Sequence, residues 1–526
     1  RYKGNFNASE QTEKDLANKV EQWWNLGETL NPEQKSWRDK LGSGYRIDRV
    51  RLWREIARVE ELRQNDLVAA TYKIRGMRLL GEDRFGDLPF VLRTLENKGF
   101  SREATVLEAM YSKPSQQEKR CAELLDQALL DNLHNSNWEY EFIDDRREKS
   151  SYRASVIVSL YNAAKKLPLF LKTLQHQTLI QSGQAEVILV DSGSPADEYA
   201  VFKQLAPELN IPIVYARSQQ RETIQSAWNR GIDLSRAPYL SFLGVDEIIL
   251  PDCLEVLAKE LDKDLSLDWV IGSSLVTNVD MQGSWVNDIM LYYREGYNQD
   301  LVYLETCYLS WVGSLYRRSI HDRFGYYDAS FRAAGDTEFK NRILPFIKTK
   351  VINRTLGVFW NYPDERTTQS SLAEIEDMRA WYLHRSLAGI KYAFADRKVE
   401  DMEKLIYQCL CYRKSYCGHW STDLEYAYNL SLLLKEKMPE STALKYFDGI
   451  KTLFNSYRAL DWIPKISRLS PFSLLLNTEK LAKKIQEEHR ALGNPLANLG
   501  FKPTYQIFND NRHEQHAYLW FTEISK

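Results

Sequence analysis

The chain has 526 residues, 44% hydrophobic and 27% charged, which excludes a disordered protein and, at usual domain sizes, means about three domains rather than one core. Its 70 Lys and Arg are balanced by 72 Asp and Glu, so bulk positive charge is excluded and no nucleic-acid partner is expected. Six cysteines are too few and too scattered to staple the chain, which fits a reducing, cytoplasmic compartment.

The chain opens on Arg1-Tyr2-Lys3-Gly4, which is neither a signal peptide nor led by an initiator Met and fits a fragment or a processed form. No run approaches the roughly 18 apolar residues of a membrane span, so no transmembrane segment is expected, while peripheral contact with the inner face of a membrane stays open. From about residue 10 to 135, apolar residues recur at spacings of three and four, as in Leu16–Trp24, Val50–Val59 and Leu124–Leu130. That pattern predicts a helical N-terminal region over 1–150, closed by a charged linker at Asp144–Ser151.

The texture then changes. Short β-branched runs at Ala154–Ser159, Glu186–Val190, Ile211–Tyr215 and Tyr239–Leu243 alternate with amphipathic helices, one through Lys172–Gln175 and one over Thr223–Asn229. Strands alternating with helices predict βαβ crossovers and an α/β fold over 151–372, a mostly parallel sheet with helices on both faces. After about residue 372 the helical pattern returns through 373–526, as in Leu405–Leu410 and Tyr426–Leu434, with Tyr518–Phe521 as a candidate strand. Cys409, Cys411, Cys417 and His419 lie close together, but C-x-C-x5-C-x-H is not a common structural zinc spacing and the segment reads as helix.

In parallel sheets ligands bind outside the carboxyl ends of the strands, and two acidic stretches fall there: Asp191-Ser192-Gly193-Ser194 and Gly244-Val245-Asp246-Glu247. The first makes a good turn, and its carboxylate can equally accept the imide N–H of a uracil-like base. The second can cap the following helix, or hold a divalent cation that neutralises a diphosphate. A third stretch, Phe331–Arg342, places Asp336 either as a helix cap or as a general base toward an acceptor hydroxyl, with Glu338 and Arg342 four apart as a supporting pair.

In this order the three stretches resemble the family 2 glycosyltransferases of the GT-A fold, over about residues 153–372. Val156–Asn162 resembles the first strand and its nucleotide-facing loop, Glu186–Ser194 the second strand, and Ala227–Ile232 the helix before the metal strand. Leu243–Glu247 stands where the family carries Asp-x-Asp, and Gly335–Phe339 where the base is found. The resemblance implies nucleotide binding by Leu160, Asn162, Asp191, Gly193, Asn229 and Val245, a Mg2+ or Mn2+ ion on Asp246 and Glu247, and Asp336 as catalytic base. It places Trp311 and Glu338 on the acceptor side, although Trp311 reads equally well as core. It departs from the family where Gly244 replaces the first Asp of Asp-x-Asp, where Ser192 replaces an acid, and where Val358–Thr368 offers no histidine.

The implied reaction moves a sugar from a nucleotide diphosphate donor, a UDP-sugar by expectation, to a hydroxyl of a glycan or other acceptor with inversion, as in bacterial polysaccharide biosynthesis. A glycosyltransferase-like binding or scaffold module that has lost turnover is the alternative, motivated by Gly244 and by the helical flanks, which are expected to buttress the domain or recruit a protein partner. A dinucleotide enzyme is excluded by the absence of G-x-G-x-x-G after the first strand.

Overall fold

A computed structural model describes residues 43–131, 138–280, 284–292, 312–361, 371–411, 414–415, 421–451, 501–509 and 515–523. The chain divides into two compact units, Asp126–Gln369 and a second made of Arg1–Leu125 together with Ser370–Lys526. Among the described residues the N-terminal segment is helical, as the spacing of Val50–Val59 and Leu124–Leu130 predicts, with α1 (Ser43–Leu62), α2 (Asp66–Leu80), α3 (Leu88–Asn97), α4 (Ser101–Met110) and α5 (Pro114–Asp131); Leu16–Trp24 lies outside the described residues.

The central unit begins with a strand where the sequence predicts a linker. β1 (Tyr140–Asp145) includes Asp144 and Asp145, so the expected linker starts inside the sheet. Its residues alternate between half-buried and exposed, with Glu141 and Asp145 on the exposed side, as suits an edge strand protected from further pairing. Arg147 is no linker residue either: its buried guanidinium donates to Glu186 at 2.7 Å, to Asp145 at 2.8 Å and to the Leu234 carbonyl at 2.7 Å.

β2 (Ala154–Leu160), α6 (Leu167–Leu174), α7 (Thr178–Gln181), β3 (Ala185–Asp191), α8 (Glu198–Leu205), β4 (Ile213–Ser218), α9 (Ile224–Leu234) and β5 (Tyr239–Leu243) follow as alternating strands and helices. Then come β6 (Glu247–Ile249), α10 (Cys253–Lys263), β7 (Trp269–Val279), β8 (Trp285–Tyr292), β9 (Ser314–Arg317), α11 (Ser319–Phe324), α12 (Gly335–Ile343) and β10 (Thr349–Asn361). Among the described residues they form one ten-stranded sheet ordered β1-β4-β3-β2-β5-β9-β7-β10-β6, with β8 on β7.

β4, β3, β2 and β5 are mutually parallel. All residues of β3 and β5 are buried, which is why Val187–Val190 and Tyr239–Leu243 read as mainly apolar runs rather than alternations. One face carries the main core, with Val156, Val158, Val187 and Leu189 packed against Phe170 and Leu171 of α6 and Leu254 and Leu257 of α10. On α9, Trp228 packs against Phe242 and Tyr327, at ring separations of 5.1 Å each.

After the sheet come α13 (Ser371–Arg385), α14 (Leu387–Ala393), α15 (Val399–Cys411) and α16 (Ser421–Lys437). The N-terminal and C-terminal helices share one core: Ile74, Met77, Leu95 and Leu107 pack with Ile375 and Met378, and buried Arg379 donates to Glu103 at 2.7 Å. A small sheet of β11 (Lys414–Ser415), β12 (Phe501–Asn509) and β13 (Gln515–Glu523) contains the expected strand at Tyr518–Phe521. Cys409 and Cys411 lie on α15, whereas Cys417 and His419 fall outside the described residues. Among the described residues no helix is long and apolar enough to cross a membrane.

Candidate active site

The chain leaves β2 toward β3 and β4 on one side and later places β5 on the other, so the strand order switches between β2 and β5. A crevice at the carboxyl ends follows from that switch. Asp191 ends β3, and β2 stands between it and β5, so the two acidic stretches are separated by two strand spacings, roughly 10 Å, rather than on adjacent strands.

Asp191 is fully buried and held by three donors. Its Oδ1 accepts from the Ser194 N–H at 2.8 Å, and its Oδ2 from the Tyr215 hydroxyl at 2.7 Å and from the Arg217 guanidinium. Burial and the Asp191 charge push the Tyr215 hydroxyl well up, which keeps it a protonated donor. Arg217 also donates to the Ser194 carbonyl at 3.0 Å and to Glu141 at 2.7 Å. Burial disfavours its charge, but bonds to Glu141 and Asp191 outweigh this and raise its pKa. The tight turn needs Gly193, whose φ is +64° and whose added Cβ would lie 2.7 Å from the backbone of Gln220.

The β2 and β3 loops are tied together. The Leu160 carbonyl accepts from Ser192 at 3.1 Å, and Asn162, at φ 53°, donates its N–H to the Ser194 hydroxyl at 2.9 Å. Ser194 donates in turn to Glu198 at 2.7 Å, which also accepts the Ala163 N–H at 2.7 Å. The exposed Tyr161 ring lies 4.4 Å under the Arg221 guanidinium. Asn229 sits deeper: its amide donates to the Tyr327 carbonyl at 2.9 Å and accepts the Tyr327 N–H at 3.0 Å.

Asp246 and Glu247 do not cap a helix, because Glu247 opens β6 and α10 starts at Cys253. Val245 packs on the main core. The Glu247 carboxylate turns back to accept the Gly244 N–H at 2.9 Å, and Trp360 donates its N–H to the Asp246 carbonyl at 2.8 Å. A Cβ on Gly244 would lie 2.6 Å from Asp246 Oδ1, so the missing first acid makes room for the second. Among the described residues no three His, Cys, Asp or Glu side chains converge as a metal cluster, so an ion here would take one or two carboxylates and the rest of its ligands from substrate and water.

α9 begins at the carboxyl end of the sheet, where the Thr223 hydroxyl accepts the Ser226 N–H at 3.2 Å and donates to the Ala329 carbonyl at 2.8 Å. Gln225, in the first turn, presses on Gly335, where an added Cβ would collide with the carboxamide. That contact brings the start of α12, and Asp336 with it, to the same end of the sheet. Asp336 is not the cap, a position held by Ala334, but lies in the first turn, 3.8 Å from the buried Lys340 ammonium. Glu338 is buried and makes the expected pair with Arg342, at 2.9 and 3.1 Å. Trp311 lies outside the described residues.

The sequence reading did not find Tyr215, Arg217 or Gln225. The first two act through strand register, since Arg217 pairs with Asp191 and Tyr215 lies two residues before it on the same face. Gln225 carried no signal, because nothing local links it to Gly335.

Residues 155–325 match the family described as glycosyl transferase family 2. The PGL/p-HBAD biosynthesis glycosyltransferase of Mycobacterium bovis (strain BCG / Pasteur 1173P2) is 28% identical over 191 residues, covering 36% of this chain and 68% of the relative. The uncharacterized glycosyltransferase YwdF of Bacillus subtilis is 25% identical over 236 residues, covering 44% and 82%. The crystal structure of S. aureus TarS 1-349 in complex with UDP-GlcNAc superposes with a TM-score of 0.36 at 15% identity, over 59% of this chain and 90% of that one. With an α/β sheet whose crevice lies at a strand-order switch, residues 155–325 form a domain matching glycosyl transferase family 2.

Proposed function

We propose that the central unit transfers a sugar from a nucleoside diphosphate donor, a UDP-sugar, to a hydroxyl of a glycan or other acceptor, with inversion and with Asp336 as the base. The observation that carries this reading is the convergence of the Asp191, Asp246 and Asp336 segments on one end of the sheet, across its switch point. Asp191 retains capacity for a base: a carboxylate offers about four lone-pair sites, and three protein donors occupy three. Leu160, Asn162, Gly193 and Val245 shape the loops around it, and Asn229 holds the Tyr327 backbone beneath.

Asp246, with Glu247 beside it, would hold Mg2+ or Mn2+, and the ion supplies charge neutralisation to the diphosphate. Gly244 carries no side chain to displace the Asp246 carboxylate, which supports turnover over a scaffold role. Asp336 would take the acceptor proton, with Lys340 beside it and Glu338 fixing its helix. The reading places the chain in the cytoplasm, with a glycan acceptor near Trp311 and Glu338 and with the helical flanks free of catalytic residues and available to a protein partner.

Calorimetric titration with UDP, with and without Mn2+, tests the donor site. Binding that requires the metal and is lost in Asp246→Ala is expected; binding indifferent to both EDTA and Asp246→Ala overturns the metal assignment. A screen of nucleotide sugars for hydrolysis and transfer tests turnover itself, and no turnover with any donor overturns the enzymatic reading.

A further inference from the structure

Gln225 is a buried polar side chain of the crevice whose amide oxygen is not accounted for by the described fold. It is 3% exposed, in the first turn of α9, and its Oε1 is buried with no hydrogen-bond partner among the described residues. A buried amide oxygen left unpaired is destabilising, and in native structures such groups call for an explanation. Its neighbours on the same helix face have one: Asn229, four residues on, clamps the Tyr327 backbone, and Trp228 fills the aromatic cluster with Phe242 and Tyr327.

Gln225 instead lies flat against the backbone of Gly335, immediately before Asp336. Its Cγ, Cδ and Nε2 all crowd the place an added Cβ would take, so a side chain at 335 would expel the carboxamide. The carboxamide therefore occupies the wall between the start of α9 and the start of α12, at the carboxyl end of the sheet.

We propose that Gln225 is a sugar-binding residue whose Oε1 accepts a hydrogen bond from a hydroxyl of the sugar handled beside Asp336. This rests on the glycosyltransferase reading of the site. The ligand chemistry is a sugar hydroxyl, and its two sources are the sugar being transferred and the acceptor sugar. The unpaired oxygen is satisfied only in the complex, so the residue trades stability of the free protein for recognition.

The test compares the full-length wild type with Gln225→Met, which keeps the length of the side chain and removes its amide. Thermal melting, UDP titration, hydrolysis of the matched donor without acceptor, and transfer are measured for both. The expected result is a melting temperature equal to or above the wild type's, unchanged UDP affinity, and a fall in kcat/KM of about 10- to 100-fold, the usual effect of losing one hydrogen bond in a dry site. Loss already in donor hydrolysis assigns the hydroxyl to the transferred sugar; loss in transfer alone, with a raised acceptor KM, assigns it to the acceptor. Wild-type kcat/KM in Gln225→Met overturns this inference and leaves the glycosyltransferase reading standing. A lowered melting temperature that accounts for the lost activity also overturns it, by making Gln225 structural. A wild type without turnover overturns both.

Discussion

Glu338→Gln separates the two acids of α12 by what each does. Glu338 has a side chain 4% exposed and faces Arg342, 16% exposed, at 2.9 and 3.1 Å. Arg342 also donates to the carbonyls of Phe324 and of Tyr326, the latter at 2.8 Å, so the pair pins α12 to the turn after α11. Gln keeps the shape and removes the charge, leaving a mostly buried guanidinium facing a neutral group. Breaking a buried pair from one side costs about 3 kcal/mol or more, which for a unit of this size lowers the melting temperature by roughly 6–12 °C. Asp336 differs: its side chain is 33% exposed and its ion pair with Lys340 spans 3.8 Å, so Asp336→Asn should cost under about 1 kcal/mol. Its transfer rate should nevertheless fall by about 10² or more, the contribution of a positioned base. Thermal melting and donor-to-acceptor transfer, measured on both variants, give four numbers that must cross over. If Glu338→Gln melts with the wild type and loses more transfer than Asp336→Asn, Glu338 is the base and the assignment is refuted.

His321 predicts a pH dependence. Burial depresses its imidazole from 6.5 to about 3, and its Nε2 lies 2.8 Å from the Tyr316 hydroxyl. Between those values the unfolded chain binds a proton that the folded chain refuses, so stability is full above about pH 6.5 and falls as pH drops toward 3. The loss should be about 2 kcal/mol by roughly pH 5, and His321→Gln should flatten it when urea midpoints at about pH 7 and 5 are compared. Arg147→Met should leave the fully buried Glu186 without its ion-pair partner and cost about 3 kcal/mol or more; an unchanged urea midpoint would show that this pair does not hold the residues before 154 to the sheet.

Of the ten described strands in the central sheet, β2 to β5 were legible because buried parallel strands and the amphipathic helices between them leave opposite patterns in the sequence. Ala154–Leu160 and Ala185–Asp191 read as apolar runs because both faces of the sheet are covered. β1 was not legible, since Tyr140–Asp145 carries Glu141, Asp144 and Asp145 and its strand character comes from pairing with β4. A charged edge strand and a charged linker have the same composition, and only the partner distinguishes them.

The site divides along the same line. Asp191 and Asp246 were visible because each follows an apolar run at a strand end, and Asp336 because it stands at a helix start where the family resemblance expects the base. Arg217 and Gln225 were not, because each acts across the fold: Arg217 through register with Asp191, Gln225 through its contact with Gly335. Gly244 has the same character. In sequence it is a lost acid, whereas in space it is the absence of a side chain 2.6 Å from Asp246 Oδ1. A side chain at 244 would require the Asp246 carboxylate to rotate aside. The second acid of this chain comes after Asp246 instead, in Glu247, whose carboxylate is held by the Gly244 N–H.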